Sequence, residues 1–259
     1  FTAVLMMLVW APLGWWLGRS AVPLWGAREW AIVALSGVLH VLYYVVLLRG
    51  YRKADLTVVY PLARGTGPLV TALVAVTLLG ERLSLTAVLG IAGVVAGVFL
   101  IAGGPGLLRA GRDEQARRLV RKGMQYGVLT GLFIASYTVV DGYAVKVMLL
   151  SPILVDYMGN FVRVLVLAPV ALRKPAELAP LWAAQWRFAL LVAAVSPVAY
   201  VLVLFAMQSA PLSHVAPARE VSMLFAALLG GHLLGEGDRA ARLAGALLIA
   251  CGVVALALG

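Results

Sequence analysis

The sequence predicts an all-α integral membrane protein made of two helical repeats of opposite orientation. Three observations lead there. Apolar residues make up 63% of the chain and charged residues only 12%, with a mean hydropathy of +0.99, against roughly 45–50% apolar residues in a soluble domain. Runs of about 20 apolar residues, enough to cross a bilayer core, recur along the chain without the period-two alternation of barrel strands. The stretch from Ala54 to Gly103 also recurs from about Ala210 to Leu258. Ala63-Arg64, Leu78-Leu79-Gly80-Glu81, Gly90 and Gly97 reappear as Ala218-Arg219, Leu233-Leu234-Gly235-Glu236, Gly245 and Gly252, each 155 positions later. A constant offset over several unlike residues marks an internal duplication.

In chain order the predicted spans are nine: 1–17, 29–48, 56–79, 84–103, 123–145, 152–172, 187–208, 212–234 and 242–258. The first run is short and begins, already apolar, at Phe1 without an initiator methionine or a charged leader. The half from Gly123 onward holds five spans, and its last three match spans two to four of the first half. A complete duplication has five plus five, so one helix is expected before Phe1 and ten in the full protein. The domains are a first repeat over 1–103 lacking its first helix, a basic linker over 104–122 and a second repeat over 123–259.

Loop charge sets the orientation. Arg49, Arg52, Lys53, Arg109, Arg112, Arg117, Arg118, Arg121, Lys122, Arg173, Lys174, Arg187, Arg239 and Arg242 fall in one set of alternate loops, Arg19, Arg28, Arg82 and Lys146 in the other. The richer set is expected in the cytoplasm. Five helices per half then invert the second half relative to the first, with Glu81 and both termini of the full protein outside and Glu236 inside, the arrangement secondary transporters use for alternating access. The net charge of +10 sits in these short connections and points to topology and lipid headgroups, with no nucleic acid as partner. Cys251 stands alone, which excludes a disulfide framework.

The repeated helix, the Gly-Glu at its end and the glycine-bearing helix after it resemble the EamA-type domain of the drug/metabolite transporter superfamily. The resemblance covers nearly the whole chain and is densest at Tyr60-Pro61-Leu62-Ala63-Arg64-Gly65, at Thr130 to Ala135 with Tyr137 and Asp141-Gly142, and at Arg219-Glu220 with Ser222 and Leu224-Phe225-Ala226. These stretches are similar to a bacterial branch some of whose members are associated with phosphonate utilisation. The resemblance implies ten helices around a central cavity in the bacterial inner membrane. It implies a small-molecule solute and surrounding lipid as partners, no cofactor, and a homodimer as a candidate assembly. Well-studied relatives usually have both termini inside, unlike the topology that the loop charge gives here.

Arg64 and Arg219 are the leading site candidates. Arg64 lies eight residues after Leu56, roughly 12 Å along a helix, and a guanidinium at such depth costs about 2.5–3.5 kcal/mol or more unless it is paired or faces water. Two readings stand: a pair of anion clamps for a solute carboxylate or phosphonate, or arginines held by internal carboxylates that fix the packing. Asp141 and Arg219 are expected close enough to meet. Glu220 points away from Arg219 on a helix and needs a partner, a water or a proton of its own, so Glu220 and Asp141 are the candidates for proton or charge coupling.

Further residues are expected to shape the cavity: His40, Tyr43, Tyr44, Tyr60, Thr66, Tyr137, Asn160, Arg163, Tyr200, His214 and Ser222. Arg163 is the weaker arginine, because Asp156 and Asn160 lie on neighbouring turns. His40, His214 and His232 lack the spacing of a metal site. Pro61 and Pro217, each just before its arginine, remove a backbone hydrogen bond and permit bending. Gly90, Gly93, Gly97, Gly245 and Gly252 are expected at close helix contacts, and Gly-Glu is expected to end its helix with the acid at the interface. The expected function is a secondary transporter of an anionic or zwitterionic solute. A lipid flippase of the same fold is the first alternative and a membrane enzyme the second, the latter disfavoured because the chain carries no nucleophile elbow, metal pair or phosphate loop.

Overall fold

A computed structural model describes residues 1–54, 56–101, 114–223 and 239–259. Helices carry nearly all of these residues and no strand occurs among them, as expected where a backbone must satisfy its own hydrogen bonds in lipid. The helices are α1 Thr2–Val9, α2 Ala11–Ala21, α3 Ala27–Lys53, α4 Leu56–Leu78, α5 Leu85–Ile101, α6 Glu114–Lys146, α7 Pro152–Leu172, α8 Pro175–Ser209, α9 Leu212–Ala218 and α10 Arg239–Leu258. Five stretches are long and apolar enough to cross a membrane: Ala27–Lys53, Val58–Leu78, Arg117–Lys146, Pro152–Leu172 and Pro175–Ser209. Leu85–Ile101 and Leu243–Leu258 are shorter apolar helices.

Several predicted bounds shift. The first predicted span is divided at Trp10, where φ −94° and ψ 4° interrupt the helix just before Pro12, a residue suited to a first helical turn. The seventh begins at Pro175, not at 187, so Arg187 lies within a helix and not in a loop. The fifth begins at Glu114, which turns the second part of the predicted linker into helix. The eighth, read as one helix over 212–234, forms α9 to Ala218, turns at Arg219-Glu220 and is helical again over 221–223. Its remainder beyond Met223, with Leu224-Phe225-Ala226, His232, Gly235 and Glu236, and the first part of the linker with Arg109 and Arg112, lie outside the described residues.

The chain divides into two compact units, and each draws on both sequence repeats. The first comprises residues 1–42 and 140–209. Trp10 is fixed to α8 by its indole N–H, which donates to the Ala193 carbonyl at 3.0 Å. Gly14 gives way to the Tyr157 ring of α7, 2.6 Å from where a Cβ would stand, and Gly37 of α3 likewise admits Val162 at 2.7 Å.

The second unit comprises residues 43–139 and 210–259. Here α4 lies against α6 through Gly127 and Gly131, whose absent side chains leave room for Leu62 and Thr66, each with an atom 2.6 Å from a hypothetical Cβ. Between α5 and α10 the glycines meet in a reciprocal pattern. A Cβ on Gly90 would lie 2.7 Å from the Gly252 carbonyl oxygen, and one on Gly97 2.5 Å from that of Gly245. From the other side, Gly252 and Gly245 would each approach their partner's carbonyl at 2.7 Å. The crossing is antiparallel, since the contact moves toward the end of α5 as it moves toward the start of α10. Ala87, Ile91, Val94 and Val98 of α5 and Ile249 and Leu256 of α10 bury themselves around it.

A methyl group at these crossings must push backbone apart. Gly97→Ala is expected to destabilise by about 1–3 kcal/mol. Gly65→Ala, where the nearest neighbour is Val95 Cγ1 at 3.9 Å, is expected to be neutral or stabilising by up to about 1 kcal/mol. Thermal unfolding of the detergent-solubilised variants measures the difference, and equal effects at the two positions would refute the close-contact account.

Candidate functional site

Arg64 projects from the middle of α4, a helix that stays continuous although it contains Pro61 and Pro68. Neither proline can donate a backbone bond, so the carbonyls of Thr57 and Arg64 itself lose their usual i+4 donors. The Arg64 guanidinium reaches the 219–223 segment: Nη2 donates to Ser222 Oγ at 3.0 Å, and Nε lies 3.3 Å from Glu220 Oε2. The guanidinium carbon also stands 5.7 Å from the centre of the Tyr60 ring, within cation–π range. The Arg64 side chain is 26% exposed and that of Glu220 only 4%. Their contact is an ion pair without an aligned hydrogen bond, and among the described residues neither Nε nor Oε2 has another hydrogen-bond partner.

The backbone explains how Glu220 comes to face Arg64. Pro217 cannot continue the helical ladder of α9, and the chain tightens: Glu220 N–H donates to Pro217 O at 2.9 Å, Ser222 N–H to Arg219 O at 3.3 Å and Met223 N–H to Glu220 O at 2.8 Å. These are i to i−3 bonds, the pattern of a 3₁₀ turn with about three residues per turn. Arg219 thus stands at the end of α9 with a helical φ of −56° and ψ of −27°, at a tightened turn inside the predicted span. Its guanidinium donates to Thr138 Oγ1 at 3.2 Å and to the Tyr137 hydroxyl at 3.4 Å. Tyr137 in turn packs edge-on against Tyr43, with ring centres 5.7 Å apart, and Tyr44 lies against Tyr43 at 4.8 Å.

The other end of α9 is held by Glu81. After α4, Gly80 takes a positive φ of 69°, a conformation suited to glycine at a helix terminus. The Glu81 carboxylate then accepts from Leu212 N–H at 2.7 Å, from Ser213 N–H at 3.0 Å and from the Ser213 hydroxyl at 2.6 Å. The acid after the glycine therefore does more than stop its own helix. It caps a helix from the other repeat.

In the first unit a separate polar group forms. Tyr200 donates its hydroxyl to the Asp141 carboxylate, and Asp141 is fully buried. The His40 ring meets Tyr200 edge-on at 5.5 Å, and its Nδ1–H donates to the Ser36 carbonyl at 3.0 Å. On α7, Asp156, Asn160 and Arg163 share a buried face, with Arg163 Nη2 3.2 Å from Asp156 Oδ1.

The structure thus gathers Arg64, Tyr60, Glu220 and Ser222 in one cluster and Arg219 and Tyr137 in a second group of the same unit, with Tyr44 joined to Tyr137 through Tyr43. His40, Tyr200 and Asp141 form a third group. The Asp141 carboxylate, expected beside Arg219, has Tyr200 as its hydrogen-bond donor. His214 lies half-buried on α9 outside these contacts. Thr138 and Ser36 were missed, since a lone threonine or serine on an apolar helix gives no signal at the level of sequence.

Removing one member of a buried ion pair strands the other. Arg64→Gln is expected to destabilise by about 3–5 kcal/mol, and adding Glu220→Gln should return part of that loss; strictly additive effects in a thermal-unfolding double-mutant cycle would show the pair uncoupled. Glu81→Ala removes three hydrogen bonds at the start of α9 and is expected to cost about 1–2 kcal/mol. A change in melting temperature no larger than that of an exposed control such as Arg82→Ala would refute the cap.

Comparison with known proteins bears on the whole chain. A solved structure described only as "Crystal structure of protein" aligns with 99% of this chain and 88% of its own, at a TM-score of 0.70 and 14% identity, a likeness of fold alone. No curated protein matches. The model of the EamA-like transporter family matches residues 1–103 and again 121–258, the two stretches in which the duplicated motifs lie. The chain belongs to the EamA-like transporter family, a family of membrane transporters of the drug/metabolite type and not of enzymes.

Proposed function

We propose that the chain is a secondary transporter for a small anionic or zwitterionic organic solute, whose acidic group binds Arg64 and Arg219. The observation that carries this reading is the setting of Glu220: a buried carboxylate next in sequence to one guanidinium and 3.3 Å from another, in a contact that leaves the Arg64 Nε–H without an aligned acceptor among the described residues. A solute carboxylate or phosphonate offers that guanidinium a bidentate partner and competes with Glu220 for it. The Tyr60 ring, Ser222, Tyr137 and Tyr44 surround the two arginines with hydroxyls and aromatic surface suited to the rest of a small organic molecule. His214 is a further proposed solute contact of the second unit, and His40 and Tyr200 are proposed solute-binding residues of the first unit by itself.

Exchange of partners also supplies a route to coupling. When a solute acid takes Arg64, Glu220 loses its counter-charge in a buried place, and a proton is the simplest replacement. Glu220 is therefore the proposed coupling group, with Asp141, donated to by Tyr200, as the second.

Alternating access between two inverted repeats is supported by the glycine crossing. Gly90 and Gly97 of α5 are the repeat equivalents of Gly245 and Gly252 of α10. Under exchange of the repeats the Gly90–Gly252 contact becomes Gly245–Gly97, which is the other contact observed. An antiparallel crossing that maps onto itself has its two-fold axis perpendicular to the helices. For helices that span a bilayer, such an axis lies in the membrane plane, which is the geometry of an inverted repeat. We place the protein in the bacterial inner membrane, with nine membrane-spanning helices in this chain.

The test is flux in proteoliposomes. Labelled amino acids, organic acids and phosphonates are screened with and without a pH gradient. Saturable uptake of an anion is expected, reduced at least tenfold in Arg64→Gln and in Arg219→Gln that remain folded, as loss of a charge-assisted hydrogen bond implies. Glu220→Gln is expected to retain exchange but lose its dependence on the gradient. Gradient-driven flux equal to wild type in that variant would sink the coupling role. Absence of solute flux together with movement of labelled lipid between leaflets would replace the carrier by a flippase.

A further inference from the structure

We propose that the neighbouring ends of α3 and α6 form a binding site for an anionic membrane lipid whose headgroup carries two phosphate diesters, as that of cardiolipin does. The two helices run antiparallel in the second unit, where Tyr43 meets Tyr137 with ring centres 5.7 Å apart and a Cβ on Gly50 would lie 2.9 Å from Tyr126 Cβ. Around and beyond this last contact both helices are rich in cations. Arg49, Arg52 and Lys53 stand in the last turns of α3, and Arg117, Arg118, Arg121 and Lys122 in the first turns of α6, all of them exposed. They lie on helices and not in the loops expected of them, so helix geometry fixes their directions.

Those directions agree. At about 100 degrees per residue, Arg49 and Lys53 both fall to one side of the line from Gly50 to α6, by about 100 and 60 degrees. Lys122, Arg118 and Arg121 fall about 40, 80 and 140 degrees to one side of Tyr126. For antiparallel helices these two sides coincide. Gly127 and Gly131 turn the other way and face Leu62 and Thr66 of α4, so α4 leaves the cationic side open. The five cations border one groove between α3 and α6. Glu114 is the one acid among the described residues of these two ends, and Arg118 already holds it at 2.5 Å.

Depth selects a lipid as the partner. Counted along the helices from the Gly50–Tyr126 contact, Arg49 is about level, Lys53 lies about 4.5 Å and Lys122 about 6 Å toward the same face. The headgroup layer is about 5–8 Å thick on each side of the hydrocarbon core, and Tyr51 and Tyr126 beside the contact are of the type that marks its boundary. Leu129 and Leu132 continue the cationic side of α6 inward, are exposed and offer apolar surface to acyl chains. The spacing of the charges selects the headgroup. Arg49 with Lys53 forms one pair a turn apart on α3, and Arg118 with Lys122 another on α6, on helices whose axes pack about 8–10 Å apart. A single phosphate diester reaches one pair, whereas two diesters joined by a short linker meet both, as in other basic pockets between membrane helices. The site stands whether or not the chain moves a solute.

The experiment is native mass spectrometry of the detergent-solubilised protein. It is titrated with tetraoleoyl cardiolipin, with dioleoyl phosphatidylglycerol at doubled concentration to match phosphate, and with dioleoyl phosphatidylcholine. Cardiolipin is expected to bind more tightly than either other lipid. Arg49→Gln with Lys53→Gln, and separately Arg118→Gln with Lys122→Gln, should each weaken it about thirtyfold, at about fivefold per cation. Arg173→Gln with Lys174→Gln, which removes as many exposed cations between α7 and α8, should leave it unchanged. Absence of a cardiolipin adduct, equal binding of phosphatidylglycerol at matched phosphate, wild-type affinity in either of the first two paired variants, or equal weakening by the third would each overturn the proposal.

Discussion

The need of Arg64 for a matching charge governs how the second unit is put together. A guanidinium within a membrane helix is tolerated when a counter-charge, an aromatic face or hydroxyls take its place in water, and Arg64 has all three in Glu220, Tyr60 and Ser222. Two of these belong to the segment after α9, from the other repeat. The ion pair therefore joins the repeats at their most polar point. It does so with a partner buried to 4% exposure, which has no access to bulk water to replace the arginine.

That arrangement requires a break in the helix. On a continuous α-helix, residues 219 and 220 would diverge by about 100 degrees with Ser222 on a third direction. The tightened turn after Pro217 alters those directions: Glu220 and Ser222 both reach Arg64, whereas Arg219 turns to Thr138 and Tyr137. The short helix before the break is secured at its start by Glu81, whose carboxylate satisfies two backbone N–H groups. Both ends of α9 thus depend on side chains from or facing α4, one acidic and one basic. A charge change at either end acts on the same seven-residue helix.

Much of this was legible in the sequence, for reasons that differ from residue to residue. The span 152–172 matches α7 at both ends, because Pro152 opens it and Arg173-Lys174 closes it. The start of α8 was misplaced because the tryptophans, Glu177 and Gln185 of 175–187 interrupt the apolar run, although Pro175 with an acid in the first turn is itself a helix start signal. Arg64 and Glu220 were each identified as needing a partner, but not as partners of each other, since their contact spans 156 positions and no local spacing encodes it. The Glu81 cap was hidden for the same reason: the repeat reveals that Gly-Glu recurs, not what the carboxylate reaches. Pro217 did carry the signal for the helix break, and the apolar run after it masked that signal.

The glycine crossing and the ion pair place unlike demands on the same unit. At α5 and α10 carbonyl oxygens and α-carbons approach so closely that a methyl group has no room, and packing of that density resists small displacements. At α4 and the 219–223 turn, the contact is a charge pair with partly unused hydrogen-bonding capacity, next to a backbone already relieved of regular bonds by Pro61, Pro68 and Pro217. A ligand that binds there gains by supplying what the pair lacks, and it does so where the backbone constrains it least. A rigid glycine seam beside a polar contact with unused hydrogen-bonding capacity would let the partner exchange proposed for Arg64 proceed without opening the α5–α10 core.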